Sequence, residues 1–429
     1  MPQRKHSTVK ELRPRQSGRV ILPITRDAYQ QVVNDPMLYR GWVEGAYHHF
    51  PQLFPVGFAE GFTLHDHYQS KKMTGEVVRR VKVKIRDEQG RQPVYTITPS
   101  YLMPYMTGYT DEVADALFLA SFGVPCWALT MVFGHNDMYW QRHIERLGRY
   151  DIVGTTVQQA ERLAQDLLAD EKHTRWQGVK AYIAMTVGGG CILGVSMALS
   201  ASADALTEAY GHFKVETHRL QETYQPKTIN TDGWKGTHAA WLALFPTIVI
   251  LRCFLHAFLN IRSRCKRLDT FPTIQNMVWE VYQAANPVEF YQRVGDLFYW
   301  TQQSLSGNRF AKPRQAIEKL CARTGDFLLT FDHPDAYRTS NAIDRLMIPL
   351  DRWLSAMFMF HGHLMTAEFR VRAWALIHNF RPYCPRSEAA KAFISPAHRL
   401  NGFVYHENWL HNLLISTSGG VIYANHKIR

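Results

Sequence analysis

The sequence predicts an α/β protein with a mixed sheet flanked by helices, and three observations predict it. Short apolar runs bounded by Gly and polar residues recur between about 161 and 251, helical periodicity fills the segments between them, and from 269 to 334 the periodicity is helical only. A chain of 429 residues with 46% apolar and 13% aromatic content is long enough to bury a sizeable core.

Residues 1–50 read as a basic N-terminal arm, because the first nineteen carry six Lys or Arg against one Glu and no apolar run; a merely solvated terminus fits as well. In the small β-hairpin region 51–109, "VVRRVKVKIRDEQGRQPVYTIT" alternates Val and Ile with Arg and Lys and turns at Asp87 to Gly90. It predicts a hairpin with one basic face, turned either to solvent or to a DNA backbone. Residues 110–160 hold three short helical runs punctuated by Gly123 and Gly134, with Thr110 as an N-cap. That suits a helix-turn-helix DNA-binding region whose third helix offers Asn136, Tyr139, Gln141, Arg142, His143, Arg146 and Arg149 to bases and phosphates. An ordinary three-helix packing unit is the alternative, and the basic third helix favours the first.

From 161 onward, "LLADEKHTRW", "VKAYIAMTVGGG" and "CILGVSMALSA" read as three consecutive strands. "SADALTEAYGHFKVETHRL" is an amphipathic helix with Leu206, Tyr210, Phe213 and Leu220 at helical spacing. "KTINTD" is a fourth strand, "THAAWLALF" a second helix and "TIVIL" a fifth strand. This is the element order of the ribonuclease-H-like sheet, so 161–268 and 335–385 are assigned to one catalytic domain, 269–334 to an all-α insertion and 386–429 to a C-terminal tail.

On this reading Asp170 lies in the first strand and Asp232 ends the fourth, on neighbouring central strands. Two such carboxylates repel unless a cation lies between them, and carboxylate oxygens with open water positions suit Mg²⁺. A third acid must come from a later helix, and "SNAIDRLMIPLDRWL" offers Asp344 beside an apolar stripe of Ile343, Leu346, Met347, Leu350 and Leu354. Asp351, Glu368, Asp332 and Asp335 are rivals to Asp344; Glu171 rivals Asp170, although strand alternation points it to the other side of the sheet.

Together, "LLADEKHTRWQGVKAYIAMTVGGGCILG", "INTDGWKGTHAAW" and "SNAIDRLMIPLDRW" resemble the three acid-bearing blocks of the DDE/DDD transposases of bacterial insertion sequences, over about 165–385. Many of those enzymes carry Glu at the third position, where this chain has Asp344. The resemblance implies cleavage at element ends and strand transfer into target DNA, with Asp170, Asp232 and Asp344 holding two Mg²⁺ ions, or Mn²⁺ as substitute. It also implies double-stranded DNA as partner and a homodimer or larger assembly on it.

"CFLHAFLN" resembles the C-x-x-H segment that some transposases carry after their second Asp. On a helix Cys253, His256 and Asn260 share a stripe, but a zinc site would need two further ligands. A structural or DNA-facing role beside the active site is expected; a buried Cys with a hydrogen-bonded His is the simpler alternative. Arg252, Arg262, Arg264, Lys266 and Arg267 come with no acid between 252 and 267, a density that suits a DNA channel wall.

The formal charge of +12 predicts a polyanionic partner. Six cysteines without a C-x-x-C pair predict reduced thiols in the cytoplasm, at the nucleoid, and no apolar stretch reaches the ~18 residues of a membrane helix. Two further functions remain open: a non-catalytic DNA-binding protein, and a ribonuclease-H-like nuclease that cuts without joining. A serine or tyrosine recombinase would leave the three acids without a role.

Overall fold

The described residues form a four-stranded sheet, a five-stranded sheet that positions the acids, and a two-stranded pair that joins the ends of the described chain. The computed structural model describes residues 13–70, 72–86 and 90–424, so the first twelve residues of the expected arm, Asp87 to Gln89 of the expected turn and the last five residues of the expected tail lie outside the described residues.

The first sheet comes from the N-terminal quarter. After β1 (Arg13–Gln16) come β2 (Arg19–Leu22), α1 (Arg26–Val33), α2 (Pro36–His49), β3 (Phe62–Gln69), β4 (Val77–Val83) and β5 (Val94–Pro99). The sheet runs β2-β5-β4-β3, with β2 parallel to β5 and the other pairs antiparallel. This corrects the reading of 1–50 as an arm: Val20, Ile21 and Leu22 are buried, and Tyr29 and Tyr39 pack edge-on with Trp42. The hairpin forms as expected, β4 antiparallel to β5, with Arg80 and Lys82 half-buried and Lys84 exposed on its outer face. Arg79 is buried and its Nε donates to Val33 O at 2.5 Å, while Arg80 is paired with Asp66.

Helices α3 (Thr110–Ala120), α4 (Cys126–Phe133), α5 (Asp137–Leu147) and α6 (Ile152–Thr156) follow. Three short helices occupy the expected region, yet α5 does not present the expected basic face. His143 is buried, Arg146 Nη1 donates to Pro104 O and Thr107 Oγ1 at 3.1 Å, and Arg149 lies over the Phe369 ring. Asn136 caps the helix by accepting from Tyr139 N, and Gln141 bonds Glu145, which leaves Arg142 as the one exposed arginine of the three. The cause is packing: a Cβ added at Gly148 would overlap the Phe369 backbone, so the end of α5 is pressed against a later helix.

The second sheet holds β6 (Asp166–Trp176), β7 (Val179–Gly188), β8 (Cys191–Ala198), α7 (Ala203–Leu220), β9 (Thr228–Thr231), α8 (Lys235–Leu244) and β10 (Val249–Arg252). Its order is β10-β9-β6-β7-β8; β6, β7 and β8 are joined by tight antiparallel turns, and β9 and β10 run parallel to β6. Parallel neighbours require crossovers, which α7 and α8 supply. Leu206, Tyr210 and Phe213 of α7 are buried with Trp241 of α8 against one face of this sheet.

Helices α9 (Phe254–Cys265), α10 (Phe271–Tyr282), α11 (Pro287–Ser304), α12 (Ala311–Cys321) and α13 (Thr324–Asp332) share their own core of Phe258, Ile274, Phe290, Ile317 and Phe327. Then come α14 (Asn341–Ala356), α15 (Leu364–Phe380), α16 (Pro396–Asn401), α17 (Trp409–Ser416) and β11 (Val421–Ala424). The 386–429 segment is no simple tail: every residue of α17 is buried, and β11 pairs antiparallel with β1. No helix among the described residues is long and apolar enough to cross a membrane.

One buried ion pair ties these parts together. Arg372 of α15 meets Glu216 of α7 at 2.6 Å, both almost fully buried, and Glu216 also accepts from Ile152 N, Val153 N and the Tyr423 hydroxyl. Buried charges need this saturation, because a lone one keeps its desolvation cost. Arg372→Met should therefore cost about 3–5 kcal/mol in urea unfolding, and adding Glu216→Gln to it should recover part of the loss.

Candidate active site

Strand register brings the first two acids together. In the β6–β9 ladder Asp166 faces Thr228 and Leu168 faces Asn230, a constant offset of 62 positions that also separates Asp170 from Asp232. Continuing that register sets Asp170 level with Asp232, one residue beyond the end of β9 and on a strand about 4.8 Å away. The turn after Asp232 is specific: Gly233 has φ +91°, and a Cβ there would overlap the Arg252 guanidinium. Asp232 Oδ1 accepts from Trp234 N at 2.8 Å, which fixes the carboxylate at the start of the turn.

The third acid is delivered by α14, and the loop before that helix is pinned to the sheet. Asn230 Nδ2 donates to Tyr337 O at 2.8 Å, Phe254 N to Arg338 O at 3.2 Å and Ser340 N to Cys253 Sγ at 3.1 Å. The Ser340 hydroxyl caps no backbone N–H; it donates to Asp344 Oδ2 at 2.8 Å and lies 3.3 Å from His256 Nδ1. Cys253 and His256 therefore reach Asp344 through Ser340. Sequence reasoning missed Asn230 and saw Ser340 only as a helix start; the one signal was a buried-type strand interrupted by an amide.

Electrostatics report the same convergence. Burial, with the charges of Asp232 and Asp344 added to it, pushes the Asp170 carboxyl up to about 6. His256 is held up at about 9, chiefly by its hydrogen bond with Cys253 and further by Asp344 and Asp170, so it is cationic at neutral pH. Burial alone would raise the Cys253 thiol, but hydrogen bonds from His256 and Ser340 bring it below its ordinary value.

The rival acids have other partners or positions. Glu171 lies on the opposite side of the sheet, accepting from the Tyr210 hydroxyl at 2.8 Å and Thr237 Oγ1 at 2.6 Å, and burial still pushes it up to about 7. Asp351 pairs with Lys172 at 2.9 Å, and Glu368 is buried and accepts from Met197 N at 2.7 Å. Asp332 and Asp335 are exposed.

The donor set suits a hard cation without forming a closed cage. Among the described residues no three His, Cys, Asp or Glu side chains stand close enough together to hold a metal ion between them. Mg²⁺ does not demand that, since it keeps several waters and takes one or two carboxylates together with substrate phosphates. Asp170, a half-buried carboxylate beside two others, is the kind of oxygen donor that gains most from such an ion.

The basic run divides. Arg262, Arg264, Lys266 and Arg267 are exposed at the end of α9 and just beyond it. Arg252 is half-buried and not unopposed: its Nη1 pairs with Asp326 of α13 at 3.1 Å, an acid distant in sequence.

A folded-state carboxyl raised from 3.8 to about 6 binds more protons than the unfolded chain in that window, so its contribution to stability falls as pH rises through it. In chelator, Asp170→Asn should thus stabilise the protein at pH 8 by on the order of 1–3 kcal/mol in urea unfolding, with the gain gone below about pH 4. No family model matches the chain and no curated protein matches it, so the reading of this site rests on its own geometry.

Proposed function

We propose that the protein is a DNA transposase of the DDE/DDD type that cleaves element ends and joins them to target DNA. The observation that carries the reading is the convergence of Asp170, Asp232 and Asp344 at one end of a sheet with three antiparallel strands followed by two parallel ones. That strand order supports a ribonuclease-H-like assignment of the domain.

Asp170 and Asp232, with waters and substrate phosphate oxygens, would hold Mg²⁺, Asp344 standing beside them; the ion would activate the attacking oxygen and stabilise the leaving oxygen of an in-line displacement. The chain's own residues do the rest. Asp170, in the middle of β6, and Asp232, just past the end of β9, would face one phosphodiester, with Asp344 on α14 held by Ser340. Cationic His256 and Arg252 offset carboxylate charge that would otherwise repel the phosphate. Water attacks phosphorus and the P–O3′ bond breaks, leaving a 5′-phosphate and a 3′-hydroxyl; that hydroxyl then attacks a target phosphodiester, whose own P–O3′ bond breaks as the target's 3′-oxygen leaves. No covalent protein nucleophile is required.

The packing of α5 favours one alternative, a nuclease that cuts without joining, because a helix with His143 buried and Arg146 and Arg149 engaged has few groups for reading element ends. Covalent strand-transfer products distinguish the two. Asp170→Asn and Asp232→Asn should each lower Mg²⁺-dependent cleavage of an element-end duplex by at least about a hundredfold while binding in chelator persists. Full cleavage by either variant would contradict the proposal.

A further inference from the structure

Beside the three acids a second feature opens toward Asp232. A cleft of about 120 Å³ lies between the end of β10, α9 and the helices α12 and α13, and Asp232 forms part of its wall. Its sides differ in chemistry: Ala257, Leu320 and Phe327 give an apolar floor, and Arg252, Lys319 and Arg323 give a cationic edge.

The basic residues of the cleft are not equivalent, and His256, which also lines it, is engaged with the Ser340 hydroxyl at 3.3 Å. Arg252 is committed to Asp326 at 3.1 Å and to Gly233 O. Lys319 and Arg323 have no carboxylate within ion-pair distance among the described residues, Lys319 is exposed and Arg323 half-buried. Nearby Glu318 is already used by Arg314 and Gln302. Two unopposed cations at the rim of a half-apolar cleft are matched by a ligand with an anionic group on an apolar body. A nucleotide unit of a DNA strand is such a ligand: its phosphate meets the cations and its sugar and base cover the apolar floor.

We propose that Lys319 and Arg323 bind a backbone phosphate of the DNA strand adjacent to the bond held at Asp170 and Asp232, so that the helices α9 to α13 grip the strand during the reaction. The proposal rests on the transposase reading for the identity of the strand, but the contact itself requires no catalysis. Neither residue belongs to the basic run 252–267, because the helices between Cys265 and Ala311 separate them from it in sequence.

The test uses the full-length chain in chelator and fluorescence anisotropy with a fluorescent single-stranded oligonucleotide, titrated at several salt concentrations. The Lys319→Gln, Arg323→Gln double variant should bind several-fold more weakly and lower the salt slope by about 0.7, the value for one phosphate neutralised on a single strand. Lys319→Arg should bind as wild type, and Lys391→Gln, which is not among the residues lining the cleft, should leave the slope unchanged; far-ultraviolet circular dichroism checks folding of each. An unchanged slope in the double variant overturns the proposal, as does absence of oligonucleotide binding by the wild type. Loss of the slope in a protein that makes no Mg²⁺-dependent cut supports the cleft and removes the transposase reading, so the two failures are separate.

Discussion

The constraint on which the site depends is the parallel pairing of β6 with β9. Once Asp166 is set opposite Thr228, the uniform rise of two strands fixes everything above it, and Asp170 and Asp232 arrive at the same level with no further instruction. A slip of one residue would turn one of the two carboxylates to the α7 and α8 side of the sheet. The ladder resists that slip, because Leu167 and Ile229 are fully buried and Thr228 donates from Oγ1 to Asp166 Oδ1 at 2.7 Å.

Bringing carboxylates together costs stability, and the surrounding contacts show how the fold accommodates the cost. Asp170 stays partly desolvated with its carboxyl shifted upward, while Asp232 is tied to a backbone N–H and Asp344 to a hydroxyl. Cys253 and His256 belong to this support. They brace Ser340, and Ser340 braces Asp344, so a motif that reads as possible metal ligands in the sequence is, in the structure, a hydrogen-bonded brace between α9 and α14. The left-handed turn at Gly233 completes the arrangement by leaving room for Arg252, which in turn reaches across to Asp326 on the helical segment.

Much of the second sheet was legible because its strands are short apolar runs ended by glycines, and because two acids sat at the spacing that the register demands. What escaped has physical reasons. The β2–β5 pairing joins residues that are far apart in the chain and leaves no local periodicity, so Arg19–Leu22 was absorbed into an arm. Residues 409–416 are buried on all sides, which removes the amphipathic signal that marks a helix. Charge counting failed where tertiary partners intervene: Arg252 meets an acid from α13, Arg79 turns inward to a carbonyl, and Arg146 spends its guanidinium on a loop. A basic residue in sequence is a basic surface only if nothing folds onto it.

If the protein works as proposed, Asp170 and Asp232 form one cation site. Anomalous diffraction from crystals soaked in Mn²⁺ tests it most directly, since the ion is located rather than inferred from activity. A manganese peak shared by the Asp170 and Asp232 carboxylates is the expected result. Manganese bound elsewhere on the chain, with the space between Asp170 and Asp232 empty, would contradict it.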